Sequence, residues 1–266
     1  MPDITFGDKT ISAKALSAIA YVGRLWRLLM ECLFYIVVEP WRNPKIIRRH
    51  ATFGMMAETG VHSLPILALI SFLIGLILAM QSAYQLQRFG VSELVPGIIG
   101  VTICREIGPL ITAIIISARV GAAITAELGT MVVGEEIMAL QTMALRPIPF
   151  LVAPRLIALA LMLPCVTVMA NFIGMAGGFV IGASDLGMSL SQYIKSTSDL
   201  LTLTDFHTGL IKSFGFGIVI AIVSCHEGLA VEGGAEGVGV ATTRSVVNSI
   251  LLIIITDLIF TIVFYM

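Results

Sequence analysis

Hydrophobic residues are gathered into five runs, each long enough to cross a membrane as a helix. A helix needs about 20 mainly apolar residues to span roughly 30 Å of hydrocarbon. Two of the runs, residues 61–87 and 156–184, contain no Lys, Arg, Asp or Glu. The pattern therefore predicts an all-α, polytopic membrane protein with about five transmembrane helices. The five predicted spans are residues 61–87, 97–126, 156–184, 206–226 and 246–266.

The N-terminal part has a helical pattern but is interrupted too often by charge to span a bilayer. Within residues 11–39, charged side chains recur before about 20 apolar residues accumulate. Its aromatic residues, among them Trp26, are typical of a helix that lies in the membrane interface. We therefore divide the chain into an N-terminal interfacial amphipathic region, residues 1–50, and a transmembrane domain, residues 51–266.

Four polar segments join the predicted spans. Residues 88–96 are expected to form a short turn, and residues 185–205 a polar segment with some helical pattern. Residues 129–155 mix charges with prolines, so we expect a loop that contains a short helix. Residues 227–244 are rich in glycine and are expected to form a second loop on the same side of the membrane.

Positive charge before the first span predicts the orientation of the chain. The cluster consists of Arg42, Lys45, Arg48, Arg49 and His50. An excess of basic residues beside a first membrane segment favours the cytoplasmic side. The N-terminus is therefore expected in the cytoplasm, and five spans would place the C-terminus in the periplasm.

Glycines repeat at every fourth position of the third predicted span. Gly174, Gly178 and Gly182 fall on one helix face. Small residues at this spacing let another helix approach closely. We therefore expect a packing seam along this face.

Composition excludes several classes of partner. Of the 266 residues, 57% are hydrophobic and 12% are charged, whereas soluble domains have about 25% charged residues. The formal net charge of -1 gives no general attraction to nucleic acid, which is not expected as a partner. The four cysteines show no CxxC spacing, so we expect neither a disulfide nor a metal site. The first ten residues lack the pattern of a cleaved signal peptide.

Sequence patterns that support catalysis are not found. The phosphate-binding motif GxxxxGK[ST] is absent, and so are the GxSxG and HExxH motifs. The glycine-rich residues 233–239 have no lysine to contact phosphate and lie among glutamates. We therefore predict no catalytic residue, no metal or cofactor bound by this chain, and no enzymatic activity of its own.

Charged side chains inside the predicted spans are the best candidates for function, since a charge at the bilayer centre costs at least about 2.5 kcal/mol. Arg105 and Glu106 point about 100° apart on one helix. We expect their partners on other helices or in a cavity, so a structural ion network and a functional role both stay open. Arg119 and Glu127 share one helix face and are expected to be structural. For Asp257 a packing role and a substrate role are both open.

Several ordered motifs of the chain resemble those of the MlaE/YrbE permeases of lipid ABC transporters. Residues 118–129, ARVGAAITAELG, carry one family motif. Residues 135–155 match the family pattern E-[EQ]-I-x-A-L-x-x-M-x-x-x-P-x-x-x-L-x-x-P-R in register. Residues 105–109, REIGP, and 241–244, ATTR, resemble two further family motifs. The resemblance extends from about residue 51 to the C-terminus and identifies residues 51–266 as an MlaE-type permease domain.

The resemblance implies an assembly in the bacterial inner (cytoplasmic) membrane. This chain would form a homodimer above two MlaF-like ABC ATPase subunits, which bind the ATP and Mg²⁺. Outside, a periplasmic MlaD-like protein with an MCE domain would bind lipid, and a small cytoplasmic accessory subunit is a further candidate partner. The cargo would be glycerophospholipid, carried between the inner and outer membranes to maintain outer-membrane lipid asymmetry. The direction of transport is not implied.

The resemblance also implies two sets of functional residues. A coupling helix that contacts the ATPase is expected to contain Glu135, Glu136, Met138, Leu140 and Met143. Of these, Glu136, Leu140 and Met143 fall on one helix face, which gives a partner one charge and two apolar anchors.

The expected lipid-binding set lies on the first and second spans, at the dimer interface. Leu76, Leu78 and Met80 would supply an apolar wall, and Gln81 and Tyr84 would hydrogen-bond the headgroup. Arg105, beside Glu106, would pair either with the phosphate or with an acid of the protein.

Two other classes of function remain alternatives. An ion-coupled secondary transporter of a hydrophobic substrate would use Arg105, Glu106 and Asp257, although such folds are typically built from internal repeats that are not evident here. A membrane scaffold without transport activity is the third possibility. It predicts that replacing Arg105 or Tyr84 leaves lipid traffic unchanged, whereas assembly of the complex fails.

Overall fold

The computed structural model describes residues 6–42, 49–144 and 146–265. Within these residues the chain is built from helices, and no strand is present. Lys45 and Arg48 of the basic cluster, and Met266 at the end of the last predicted span, lie outside the described residues. The α-helices are α1 (Phe6–Arg42), α2 (Arg49–Gly60), α3 (Leu64–Arg88), α4 (Val95–Thr102), α5 (Gly108–Ile116), α6 (Ala122–Val133), α7 (Glu136–Thr142), α8 (Ala153–Ser184), α9 (Leu190–Leu200), α10 (Leu203–Leu229) and α11 (Gly234–Tyr265).

Five helical runs are long and apolar enough to cross a membrane, which confirms the predicted all-α, polytopic fold. They are span 1 (His50–Arg88), span 2 (Ser92–Val133), span 3 (Ile148–Ser184), span 4 (Leu203–Leu229) and span 5 (Gly234–Phe264). At 1.5 Å per residue, the longest of them extends for roughly 60 Å, about twice the thickness of the hydrocarbon core. The longer spans must therefore project beyond the bilayer.

The segment predicted as a glycine-rich loop, residues 227–244, is mostly helical, so that prediction is wrong. Span 4 continues to Leu229, and α11 begins at Gly234 after a four-residue turn. Gly233 and Gly234 supply the positive φ angles of that turn, 88° and 68°. A Cβ at Gly237 would lie 1.8 Å from the backbone oxygen of Glu232, so this glycine permits a close approach inside a helix. The glycine-rich composition indicated a break between helices over this whole segment, but a glycine such as Gly237 allows close packing inside a helix.

Other predicted spans were also too short. Span 1 includes α2, which precedes the predicted start at residue 61, and span 2 continues to Val133. The turn predicted for residues 88–96 is shorter, because a 3₁₀ turn at Ser92–Leu94 already leads into α4. The expected short helix inside residues 129–155 is α7, and the polar segment 185–205 contains α9.

Spans 1 and 3 approach closely where glycines of the two spans meet. The buried face of α3 consists of Leu67, Ser71, Gly75, Ala79 and Ala83, one residue in every four. The opposing face of α8 carries the predicted glycine seam. A Cβ at Gly75 would lie 1.9 Å from the backbone oxygen of Gly174. The seam is confirmed, since only glycine allows the two backbones to come this close.

The glycine seam also serves other helices. Gly174 faces Ile103 of span 2, and Gly178 and Gly182 face the ring of Tyr193 in α9. The Tyr193 hydroxyl donates a hydrogen bond to the Met175 carbonyl at 3.2 Å. Burial raises the pKa of Tyr193 to about 12, so the phenol stays neutral. One buried tyrosine thus anchors α9 to span 3.

The main hydrophobic core lies among spans 2 to 5 and receives α1 on one side. Leu25, Leu28 and Cys32 of α1 are buried in it, together with Leu151 and Phe216. Residues 25, 28 and 32 lie on one face of a helix. Helix α1 is therefore packed against the transmembrane helices through these residues.

Candidate functional site

A lysine buried among three spans is the centre of the charged site. The side chain of Lys212, on span 4, is fully buried. Its Nζ lies 2.5 Å from Oε2 of Glu106 on span 2 and 3.0 Å from Oδ1 of Asp257 on span 5. It also donates a hydrogen bond to Oγ1 of Thr261 at 2.8 Å. One cation therefore holds three helices together.

Lys212 was not among the predicted site residues. Hydropathy predicts residues 206–226 as an apolar span, although Lys212 is the one Lys, Arg, Asp or Glu within it. A lone lysine in such a run indicates a buried acid on another helix, because an unpaired charge in hydrocarbon is too costly. That signal would have paired it with Glu106 and Asp257.

Arg105 lies beside a different acid. Its Nη1 is 4.0 Å from Oδ1 of Asp205, near the start of α10. The other oxygen of Asp205 accepts hydrogen bonds from the backbone and hydroxyl of Thr202, which completes a capping box. Arg105 and Glu106 thus meet groups on span 4, as expected for partners on other helices.

Irregular turns position the charged residues of span 2. The helix adopts π geometry at Ile103–Ile107 and again at Ser117–Gly121. The first turn contains Arg105 and Glu106, and the second contains Arg119. Single π turns inside α-helices occur frequently at functional sites, because they redirect side chains without breaking the helix.

Arg119 and Glu127 have separate partners at the end of the bundle that carries α7. Nη1 of Arg119 donates to the hydroxyl of Ser63 at 2.7 Å, at the junction of α2 and α3. Glu127 pairs with the buried Arg155 at 2.8 Å, and Arg155 also donates to the Leu151 carbonyl. The two residues therefore tie span 2 to spans 1 and 3.

The residues expected to bind lipid differ in their burial and in their level along the helix bundle. Leu76 and Leu78 are half-buried beside span 2, whereas Met80, Gln81 and Tyr84 are exposed. Ser71 and Ile103 both face Gly174, which puts Arg105 and Glu106 near the level of Ser71. Tyr84 follows Ser71 by 13 residues (84 − 71) on one helix, about 20 Å along its axis.

One headgroup therefore cannot contact both Tyr84 and Arg105. Tyr84 is instead paired with Arg88, which donates to the Tyr84 hydroxyl and has its guanidinium carbon 4.4 Å from the ring centre. Arg105, in contrast, lies near an acid of the protein, Asp205. The two members of the predicted set thus have different surroundings.

A second charged cluster joins α1 to spans 4 and 5. Glu227 is nearly buried and accepts hydrogen bonds from Tyr21 at 2.7 Å and from Asn248 at 3.0 Å. Its other oxygen pairs with Nε of Arg244 at 2.8 Å. Burial, followed by the bond to Glu227, raises the pKa of Tyr21 well above its usual range. A cleft of about 800 Å³ opens beside this cluster.

The predicted coupling residues form a short helix between two unusual backbone positions. Helix α7 runs from Glu136 to Thr142, and Met138 and Met143 are exposed. Glu135 before it and Ala144 after it have φ angles of 59° and 57°. Non-glycine residues adopt this left-handed conformation at a cost of about 1–2 kcal/mol, and such strain concentrates at functional segments.

Substitutions at Ala144 should reveal this strain. We expect Ala144→Val to lower the free energy of unfolding by about 1–2 kcal/mol, because a β-branched side chain is poorly tolerated at positive φ. Ala144→Gly should leave it unchanged or slightly higher, since glycine adopts this conformation freely. Thermal unfolding of the purified protein in detergent measures both. Equal melting of the two variants would show that Ala144 is not left-handed.

Comparison with known proteins assigns the family. The family model described as Permease MlaE matches residues 52–263, which include all of α3 to α10. The chain belongs to the MlaE permease family. The match contains the four MlaE-like motifs at residues 105–109, 118–129, 135–155 and 241–244, whereas α1 lies before it.

Related proteins of the MlaE family come from distant organisms. A probable ABC transporter permease of Rickettsia typhi is 39% identical over 225 residues, 85% of each chain. A probable ABC transporter permease of Synechocystis is 38% identical over 211 residues, 79% of this chain and 80% of the relative. The chloroplastic protein Trigalactosyldiacylglycerol 1 of Arabidopsis thaliana is 34% identical over 225 residues, 85% of this chain and 62% of the relative. The chain is thus an ABC transporter permease of the MlaE family.

Proposed function

We propose that this permease moves glycerophospholipid between the inner and outer membranes and so maintains outer-membrane lipid asymmetry. Its energy comes from ATP, bound with Mg²⁺ and hydrolysed on a separate MlaF-like ABC ATPase. The permease itself makes and breaks no bond. The name of the Arabidopsis relative is that of a diacylglycerol glycolipid, which supports a lipid as cargo.

An exposed apolar stripe on span 1 carries the proposal. It consists of Ile66, Leu69, Leu73, Ile77, Met80 and Tyr84, spaced by three or four residues along α3. The polar groups Gln81 and Tyr84 lie at one end of the stripe. This order, apolar along the length and polar at the end, matches acyl chains and a headgroup. Leu76 and Leu78 border the stripe and complete its wall.

A second copy of the chain is the proposed opposite wall. Because Met80, Gln81 and Tyr84 are exposed, they line a cavity only when something covers them. A homodimer that brings two such stripes together would enclose a groove wide enough for acyl chains. If the stripe faced the bulk bilayer, it would contact lipids without retaining any one lipid molecule.

The proposed orientation places the α7 end in the cytoplasm and the α9 end in the periplasm. The basic cluster before span 1 supports this, because its last two residues, Arg49 and His50, begin α2 at the α7 end. The ATPase would then contact α7 from the cytoplasm, with a small accessory subunit as a further partner there. A periplasmic MlaD-like MCE protein would receive or deliver lipid at the α9 end. This arrangement corresponds to a bacterial inner membrane with a cytoplasmic N-terminus and a periplasmic C-terminus.

Helix α1 has the three faces expected of a helix at a membrane interface. Successive residues are about 100° apart, so the bundle-facing residues 25, 28 and 32 lie within about 60° of one another around the helix. The exposed polar residues Arg24, Arg27 and Glu31 form a second face. The third face is exposed and apolar, and consists of Ile19, Val22, Trp26, Met30, Leu33 and Val37. We propose that this third face is immersed in the cytoplasmic leaflet.

Charge reversal at Glu136 tests the proposed assembly. The tagged chain is purified from its own membranes in mild detergent, and co-purifying proteins and lipids are identified by mass spectrometry. We expect an ABC ATPase and phospholipid with the unaltered chain. The Glu136→Lys variant should lose the ATPase by at least about tenfold, because the exposed carboxylate on α7 contacts it.

The matched control is Glu232→Lys, which reverses an exposed acid in the turn before α11 and should retain the ATPase. Recovery of the chain with neither ATPase nor phospholipid would contradict the proposal.

The Lys212 cluster is the feature that an ion-coupled transporter would use. Transport by the purified chain alone in an ion gradient would establish that alternative.

A further inference from the structure

A groove between α2 and α7 has a composition that differs from both charged clusters. Its volume is about 560 Å³. Its walls come from α2, α6, α7 and the start of span 3, and α2 contributes Ala51, Gly54, Met55 and Glu58 from one helix face. The predicted coupling residues Glu136, Leu140 and Met143 therefore face a groove of their own chain. Met138 does not line it.

The apolar part of the groove lining is adaptable. It consists of Met55, Met131, Leu140, Met143 and Phe150, of which Met143 is exposed and the others are half-buried. Methionine is flexible and polarisable, and for this reason it is frequent at surfaces that accept a partner's apolar side chains. A lining with three methionines is suited to an inserted apolar or aromatic anchor.

The rim of the groove carries uncompensated negative charge. Glu127 is neutralised by Arg155, whose guanidinium also binds the Leu151 carbonyl. Glu58 and Glu136 remain exposed on opposite sides of the groove. Among the residues that the structure describes, neither forms an ion pair with a cation. The groove therefore attracts a positively charged group.

We propose that this groove binds a segment of the ATPase in which a lysine or arginine lies next to an apolar anchor. The basic side chain lies between Glu58 and Glu136, and the anchor enters among the methionines. This inference rests on the proposed ABC assembly and adds the chemistry of the partner and the contribution of α2. Coupling then uses α2 and α7 together, so a movement of the ATPase reaches span 1 as directly as spans 2 and 3.

Site-specific photo-cross-linking of the complex tests the groove. The photoreactive residue p-benzoylphenylalanine replaces Met55, inside the groove, or Phe53, which is 67% exposed and lies on the opposite side of α2. We expect the Met55 probe, and not the Phe53 probe, to cross-link to the co-purified ATPase. Sequencing of the cross-linked peptide should find Lys or Arg beside an apolar residue.

Charge reversal provides the energetic arm of the test. Glu58→Lys should reduce recovery of the ATPase about tenfold, whereas Glu232→Lys should not. Reversal of the basic residue found in the cross-linked peptide should restore recovery with Glu58→Lys. This pairwise rescue separates a direct contact from a folding defect.

The outcomes separate the two proposals. If the ATPase co-purifies but both probes or neither cross-link to it, the groove proposal is wrong and the ABC assembly stands. A cross-link from Met55 to Lys45 or Arg48 of the same chain would also overturn the groove proposal, because the basic occupant would then be internal. If no ATPase co-purifies with the unaltered chain, the proposed function itself fails.

Discussion

Replacing Lys212 with methionine should abolish stable folding in the membrane. Methionine fills the space of the lysine stem but removes the charge that neutralises Glu106 and Asp257. Removing one partner of a buried ion pair costs about 3–5 kcal/mol, because the remaining charge loses its counterion. Here two acids lose their shared partner. The yield of monodisperse protein in detergent and its thermal unfolding midpoint should both fall sharply.

The control is the variant that neutralises all three charges, Lys212→Met combined with Glu106→Gln and Asp257→Asn. Replacing a whole buried ion network with uncharged groups of similar shape is often nearly neutral for stability. We therefore expect this variant to fold almost as well as the unaltered chain. If it is as unstable as Lys212→Met alone, the cost does not come from unpaired charge. If it folds and still transports lipid with ATP, ion coupling through this cluster is excluded.

Gly75→Ala should separate spans 1 and 3 and leave little folded protein. The new Cβ would lie 1.9 Å from the Gly174 backbone oxygen, which cannot rotate away as a flexible side chain could. Overpacking of this kind costs up to about 3 kcal/mol, and the upper end applies because two backbones must move apart. The expected result is a marked loss of membrane-extracted protein and of its thermal stability.

Gly239→Ala is the matched control for Gly75→Ala. Gly239 lies in α11, and a Cβ there meets no atom within 4 Å. Alanine favours a helix over glycine by about 1 kcal/mol, so this variant should be equally or more stable. Equal loss of protein with both variants would mean that glycine content, and not the contact between spans 1 and 3, governs folding.

The fold could be predicted from the sequence wherever one strong physical requirement determines the structure. Charge-free runs such as residues 156–184 can be solvated only by lipid, so the spans followed from length and hydropathy. The spacing of Gly174, Gly178 and Gly182 likewise predicted a seam, because small residues at this interval form one face. The ends of the spans were less accessible. Glycines that break a helix and glycines that allow close packing look identical in a sequence, which is why α11 was predicted to start too late.

The charged site was predicted only in part. The spacing of residues along one helix does not show which charged residues on distant helices will pair. Glu106 and Asp257 were recognised as costly intramembrane charges, but Lys212, the residue that joins them, was passed over in an otherwise apolar run. The groove face of α2 could not be anticipated either, since residues 51–58 and α7 line one groove only after the chain has folded. The roles of Gln81 and Tyr84 in lipid binding stay a prediction.

The ion pair between Glu127 and Arg155 has a mechanical consequence. It closes the base of the loop that holds α7, joining the end of span 2 to the start of span 3. The Gly75–Gly174 contact joins span 3 to span 1, and Lys212 joins span 2 to spans 4 and 5. We therefore expect a force applied at α7 to turn the chain as a single block and not to spread its spans apart. Opening and closing in a transport cycle would take place at the outer surface of this block, where span 1 shows its uncovered apolar stripe.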